Sequence, residues 1–241
     1  MFLKKWYNKL FLNDVRNAVE KYNMLENNDK IIVGLSGGKD SIFLLYSLLL
    51  LRENSYLNFD IIGLHIDIGI GIDMSDIEMF CKKNKIPYIY ENIHIIDKIF
   101  EDKKSPCYLC SKMKRGTMAR IAEDNHVNKI ALGHHKTDVA ITFLLNLIYT
   151  GKLETFKPIS YNEKHNLQLI RPLIYIDEKT IEKVVKDEQL PLGKNKTCPQ
   201  DKINKRNEIK VLLENIEEKY PDFQDKTVRA IENFEQGNLW L

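Results

Sequence analysis

The hexapeptide Ser36-Gly-Gly-Lys-Asp-Ser41 is the strongest constraint on what this chain can fold into. It lies between a short β-branched run, Lys30-Ile-Ile-Val-Gly-Leu35, and an apolar stretch of helical length over residues 42–51. Strand, tight glycine turn and helix are therefore predicted in that order. In such a unit the backbone N–H groups of the turn and of the helix N-terminus converge on one point, which is the geometry that binds phosphate. The Ser36 and Ser41 hydroxyls can donate to phosphate oxygens, Gly37 and Gly38 permit close approach, Lys39 adds positive charge, and Asp40 can hold a divalent ion or orient the turn. The spacing fits neither the Walker A pattern, which needs a longer gap before its Gly-Lys-Ser/Thr, nor Gly-x-Gly-x-x-Gly. The competing explanation is a turn that is glycine-rich for packing alone.

Downstream, β-type and helix-type patterns alternate: strand at 59–66, helix at 75–84, strand at 88–93, helix at 111–124, strand at 129–132 and helix at 138–149. This alternation predicts an α/β fold of Rossmann type, a parallel sheet with helices on both faces. The central unit is expected over 29–170. Ahead of it, apolar positions Leu3, Trp6, Tyr7, Leu10, Val15, Ala18, Val19 and Tyr22 mark a helical segment within 1–28, with a break expected near Asn13-Asp14. Behind it, amphipathic patterns at 177–188, 203–220 and 226–234 predict a small helical appendage within 171–241, and residues 160–166 read as a hairpin tip.

Composition narrows the function. The 241 residues carry 36 Lys+Arg against 34 Asp+Glu, a formal +2, with 44% hydrophobic residues. That excludes a disordered chain, a collagen and a small disulfide scaffold. The longest apolar run, 42–51, is about half of the roughly 20 residues a bilayer span needs, so no membrane span is expected. Lys4, Lys5 and Lys9 interrupt the first residues and no continuous apolar signal region follows, so a cytoplasmic protein is expected. In a reducing compartment, cysteines at 81, 107, 110 and 198 point to metal or redox chemistry more than to disulfides.

Cys107-Tyr-Leu-Cys110 precedes a predicted helix, and Cys198, in Lys196-Thr-Cys-Pro-Gln-Asp-Lys202, precedes another. A turn there could bring a third thiolate to the pair. Three thiolates are one short of a Cys₄ zinc site or a fully ligated iron-sulfur cluster, and a cluster so held leaves one iron open to a small anion such as sulfide. Cys81, His94 or His126 could complete a zinc site, so cluster, zinc and redox pair stay open on the residues alone. Cys81 itself, on an apolar helical face, reads as a buried small hydrophobe. Basic residues crowd both cysteine segments: seven against two acidic over 98–120, and five against one over 194–206. If the cysteines converge, so does this charge, forming a rim suited to RNA phosphates. Gly133-His134-His135 follows a strand at the carboxyl edge of the sheet, where α/β folds bind ligands. His65, at the end of the second strand, either borders the nucleotide or packs in the core.

Residues 36–41 resemble the PP-loop signature of ATP pyrophosphatases, enzymes that split ATP between its α and β phosphates. Pro106-Cys-Tyr-Leu-Cys-Ser-Lys-Met-Lys-Arg-Gly116, Lys129-Ile-Ala-Leu-Gly-His-His135, Phe143-Leu-Leu-Asn-Leu-Ile-Tyr-Thr-Gly-Lys152, Ile170-Arg-Pro-Leu173 and Cys198 extend the likeness, and the chain is similar to the tRNA 2-thiocytidine synthetase family over nearly its whole length. The resemblance implies an adenine nucleotide α-hydrolase fold. It implies ATP and Mg2+ held by Ser36, Gly37, Gly38, Lys39, Asp40 and Ser41, with Lys39, Asp40 and Asp138 in catalytic roles; Gly133, His134 and His65 are added as nucleotide-binding candidates by their places at strand ends. It further implies a 4Fe-4S cluster on Cys107, Cys110 and Cys198 and tRNA as substrate; a sulfur donor, cysteine desulfurase or free sulfide, and a homodimer stand as further partner expectations that the residues themselves do not decide. The chain departs from the family where two adjacent carboxylates and a following glutamate are usual: Thr137 and Ile141 stand in their places, leaving Asp138. Two other readings are another PP-loop ligase, lysidine-type or amidating, with structural zinc, and a non-catalytic nucleotide- or sulfide-binding protein.

Overall fold

A computed structural model describes residues 4–94, 106–194 and 205–235. In chain order the elements are α1 (Asn13–Lys21), β1 (Lys30–Gly34), α2 (Lys39–Glu53), β2 (Asp60–Asp67), α3 (Ser75–Lys83), β3 (Tyr88–Asn92), α4 (Pro106–Asp124), β4 (Lys129–Ala131), α5 (Lys136–Thr150), β5 (Ile159–Asn162), β6 (Leu167–Ile170), α6 (Glu178–Asp187), α7 (Lys205–Lys219) and α8 (Phe223–Glu232). The six strands form one sheet in the order β3-β2-β1-β4-β6-β5. Every pairing is parallel except the β5–β6 hairpin at one edge, which turns through a 3-10 segment at Glu163–His165 and Asn166 at φ +46°. The expected parallel α/β sheet and the hairpin tip are both present.

β1 is central, and Ile31, Ile32 and Val33 are wholly buried because helices cover both faces. One face carries α4, whose Ala119, Ile121 and Ala122 pack on Ile32, Ile62, Leu64 and Ile130. The other carries α2, in which every residue from Ser41 to Leu51 is buried. A helix apolar on all sides needs cover on all sides. The sheet supplies one side; the N-terminal segment supplies another, with the Phe11 and Phe43 rings 5.1 Å apart and Tyr7 edge-on to Tyr46 at 6.4 Å.

The break expected near Asn13-Asp14 does not occur. Asn8–Leu12 winds as a π-helix, the Asn13 N–H donating to the Asn8 carbonyl, and runs straight into α1. The wider turn advances the apolar face, so that Tyr7, Phe11 and Leu12 share a core with Val15, Ala18 and Val19 although their sequence spacing reads as interrupted. At the other end, Ile209 and Leu213 of α7 seat on Ala140, Ile141 and Leu144 of α5. No helix of the described residues is long and apolar enough to cross a membrane.

The amino end of the sheet holds one buried ion pair, Lys129 Nζ to Asp29 Oδ2 at 2.7 Å, with the lysine side chain only 8% exposed. Asp29→Ala strands that ammonium in the interior. We expect a loss of about 3 kcal/mol, read as a lower urea midpoint with unchanged m-value.

Candidate active site at the switch point of the sheet

From β1 the chain steps one way to β2 and β3, whereas β4 lies on its other flank. The crevice between the carboxyl ends of β1 and β4 is thus the topological switch point, where open α/β sheets bind ligands. Residues 36–41 leave β1 there, and Gly133-His134-His135 leaves β4 beside them. Gly37 has φ +82°, and a Cβ on it would stand 3.2 Å from Met74 Sδ and 3.3 Å from Ile72 Cγ2. At Gly133 a Cβ would fall 2.9 Å from both the carbonyl carbon and oxygen of Asp40. This glycine lets the exit of β4 run against the first turn of α2 backbone to backbone. Within the loop, Ser41 Oγ donates to the Gly38 carbonyl at 2.9 Å and accepts the Ser36 N–H at 3.1 Å, while Ser36 Oγ accepts the Gly38 N–H at 3.3 Å. Both hydroxyls therefore brace the loop.

Lys39 is not free in the crevice. Its Nζ donates to Glu178 Oε1 at 2.7 Å and lies 3.4 Å from Asp40 Oδ1, and Lys210 Nζ reaches the other Glu178 oxygen at 2.7 Å. Burial alone would raise the Glu178 carboxyl, but the hydrogen bonds from Lys210 and Lys39 outweigh it and hold the pKa at about 2. Asp40 Oδ1 is buried and makes no well-aligned hydrogen bond, its near cationic or polar neighbours being Lys39 Nζ at 3.4 Å and His135 Nε2 at 3.7 Å. Asp138 caps α5, its Oδ2 accepting the His135 N–H at 3.1 Å, and its Oδ1 is paired with Arg206. The positions where the family's other acids are missing are filled by packing. Thr137 Oγ1 donates to Gln224 Oε1 at 2.9 Å and accepts the Glu178 N–H at 3.1 Å, and Ile141 is buried under α7.

Three histidines border the crevice. His65 Nδ1 is 2.7 Å from the Leu35 carbonyl, which can only accept, so this nitrogen carries the proton and Nε2 is a bare, buried acceptor. Burial lowers its pKa and keeps the ring neutral. His134 packs on Phe156 at 5.1 Å, and burial, then Arg171, push it down to about 4. His135 is 3% exposed at the N-cap of α5. Beside the loop, Leu35, Ser36, Leu64 and Ile66 face Lys114 and Met118 of α4 across a small, mostly apolar cavity of about 120 Å³.

Helix α4 opens with Cys107-Tyr-Leu-Cys110. Cys110 is half-buried against Ile68, Ile70 and Leu109; the Cys107 side chain and all of Cys198 lie outside the described residues. Cys81 is fully buried in the main core, where desolvation pushes its thiol up to about 11, which suits a small hydrophobe. Of the expected basic rim, Lys112, Lys114 and Arg115 sit on α4, but Arg120 pairs with Glu91 and Asp124, Lys194 with Asp76, and Arg206 with Asp138. Lys98, Lys103, Lys104, Lys196 and Lys202 lie outside the described residues. The sequence reading missed Glu178, Asp67 and Tyr90. Glu178 directly follows a side-chain N-cap, Asp177, which marks a helix start but does not say what that helix faces.

Fold and loop together define a PP-loop protein, and residues 9–216 match the PP-loop domain family ATP_bind_3. The tRNA-cytidine(32) 2-sulfurtransferase of Paraburkholderia phymatum is 35% identical over 96% of this chain and 71% of its own. That of Burkholderia mallei is 35% identical over 96% and 72%. Among solved structures, the U34-tRNA thiolase NcsA from Methanococcus maripaludis, determined with its 4Fe-4S cluster, superposes with a TM-score of 0.74 at 24% identity, covering 92% of this chain and 79% of that one. This last likeness shows a shared fold. The chain belongs to the PP-loop family and, within it, to the tRNA-cytidine(32) 2-sulfurtransferases.

Two substitutions test the geometry. Gly133→Ala forces backbone apart at Asp40 and should cost about 2 kcal/mol, measured by urea unfolding. Glu178 has a folded pKa near 2 against 4.5, so its stabilisation is complete above pH 4.5 and is lost as pH falls toward 2. The stability gap between wild type and Glu178→Gln should therefore shrink steadily across that window in urea titrations.

Proposed function

We propose that this protein thiolates a pyrimidine of tRNA at the expense of ATP, with cytidine as the base. The observation that carries the reading is that Ser36 of the phosphate loop and Lys114 and Met118 of the Cys107-x-x-Cys110 helix wall one cavity. Nucleotide chemistry and sulfur chemistry are thereby given a common crevice. Membership of a family of tRNA-cytidine(32) 2-sulfurtransferases supplies the substrate class.

In this reading the apolar cavity takes the adenine ring, and the loop amides with the N-terminus of α2 take the phosphates. Asp40 Oδ1, a buried carboxylate oxygen with no well-aligned hydrogen bond, would take Mg2+ once Lys39 turns to the phosphates. Lys39 would leave Glu178 to meet charge developing on the phosphates. The pyrimidine carbonyl oxygen attacks the α-phosphorus and pyrophosphate leaves. Sulfide then takes the place of AMP at the activated carbon. Oxygen on that carbon is a poor leaving group and AMP a good one, which is why ATP is spent first. His65 can accept a hydrogen bond there through Nε2, and neutral His134 can make one, without adding charge.

Of the three expected ligands the structure describes the Cys110 side chain, whose setting suits a cluster ligand. Cys107 and Cys110 stand three apart at the start of a helix, and Cys110 has an apolar shell in Ile68 and Ile70. A 4Fe-4S cluster on Cys107, Cys110 and Cys198 would supply, when bound, an iron without a protein ligand at which sulfide is held. The sulfur itself would come from a cysteine desulfurase or from free sulfide, in the cytoplasm.

Nucleosides from bulk tRNA of a strain lacking this gene, analysed by mass spectrometry, test the reading. A thiolated cytidine should be missing, restored by wild type and not by Cys107→Ala. An unchanged nucleoside profile refutes tRNA thiolation, and a purified protein containing zinc but no labile sulfide refutes the cluster.

A further inference from the structure

Residues 68–74, between β2 and α3, form an irregular loop that touches three parts of the crevice. Ile68 is packed by Ile70 of the same loop, by Ile93, and by Leu109 and Cys110 at the head of α4. Ile72 and Met74 stand over Gly37 of the phosphate loop, leaving no room there for a Cβ. Asp73 exchanges two backbone hydrogen bonds with Lys194, of 3.1 and 3.0 Å, and the neighbouring Gly193 N–H donates to the Gly37 carbonyl at 2.9 Å. A loop with Gly69 at φ +99° and Gly71 at φ +71° has no single shape of its own. Something must hold it.

Asp67, the last residue of β2 and 4% exposed, does so. Its Oδ1 accepts the backbone N–H groups of Gly69 at 2.9 Å, Ile70 at 3.0 Å and Gly71 at 3.4 Å, and its Oδ2 accepts the Tyr90 hydroxyl of β3 at 2.7 Å. Successive amides converging on one anion make a nest, here closed around the chain's own carboxylate. Burial would push that carboxyl up, but Tyr90 and the three amides hold it below the ordinary range, so it stays charged. Charge-assisted bonds of this kind are stronger than neutral ones and fix the loop relative to the sheet.

We propose that Asp67 is a positioning residue, which sets the phosphate loop and the thiol-bearing head of α4 against each other through residues 68–74. Its importance for catalysis rests on the thiolation reading, but the geometry itself can be measured without cluster or tRNA. With Asp67 in place, one arm of the loop covers Cys110 and the other supports Gly37. Without it, both arms loosen together. Asparagine keeps an acceptor oxygen of the same reach and should restore most of the effect.

The test uses the full chain, reduced and freed of metal by chelation, alkylated with iodoacetamide and followed residue by residue by peptide mass spectrometry. Cys81, deep in the main core, reports global opening, whereas Cys110 reports the loop. In Asp67→Ala the Cys110 rate should rise about tenfold while the Cys81 rate stays put, and Asp67→Asn should stay within about threefold of wild type. The Kd for ATP, by calorimetry, should weaken about tenfold in Asp67→Ala and recover in Asp67→Asn. An unchanged Cys110 rate in folded Asp67→Ala overturns the proposal, as does a rise shared equally by Cys81, which would make Asp67 a general stability residue. Should Asp67→Ala not fold, Tyr90→Phe removes one bond and leaves the nest; a Cys110 rate raised about threefold then supports the proposal, and an unchanged one overturns it. The outcomes separate from those for thiolation: an unaltered tRNA profile leaves the alkylation pattern standing, and equal alkylation rates leave the tRNA result standing.

Discussion

A helix without a polar face has to be enclosed, and the enclosure of α2 governs the molecule. The sheet, the N-terminal segment and α6 surround it, so its axis cannot roll or slide without opening the main core. Because its N-terminus emerges at the switch point of the sheet, the phosphate loop inherits that rigidity. Gly133 then lets β4 close on the first turn of α2 with no side chain between the two backbones. A loop that binds by its amides needs a fixed backbone, and here packing provides it together with the hydrogen bonds of Ser36 and Ser41.

The charged side chains that border the crevice are paired with one another. Lys39 is neutralised by Glu178 and Asp40, Asp138 by Arg206, and Glu178 bridges Lys39 to Lys210. These pairs are partly buried, so an approaching polyanion competes with carboxylates for lysines that are already placed. Glu178 holds Lys39 at the mouth of α2.

Much of this was legible in the residues. Glycine-serine punctuation between a β-branched run and an apolar run fixed the β1–loop–α2 unit, because the backbone conformations it needs are open to few other sequences. The alternation of patterns gave the parallel sheet. The π-turn was not legible: one widened turn shifts the apolar phase, and a periodicity count sees only a break at Asn13. Asp67 was hidden for a different reason. A carboxylate at a strand end is common, and only the fold brings Gly69, Ile70, Gly71 and Tyr90 around it. The basic clusters were over-read in one respect, since Arg120, Lys194 and Arg206 have acidic partners contributed by distant elements.

The lost acids at 137 and 141 make sense in the same terms. Thr137 is buried, hydrogen-bonded to Gln224 of α8 and to the backbone of Glu178, and Ile141 lies beneath Ile209 and Leu213 of α7. Carboxylates at these two places would have to be desolvated against the C-terminal helices. A hydroxyl and an apolar side chain instead let those helices dock, and docking brings Arg206 to Asp138 and Lys210 to Glu178. The charged network beside the crevice is thus carried by α6 and α7, with Asp138 its member on α5. Glu178 stands next to Thr137 in space and supplies the carboxylate that faces the loop lysine, so Lys39 has an anionic partner in the crevice that α5 does not provide.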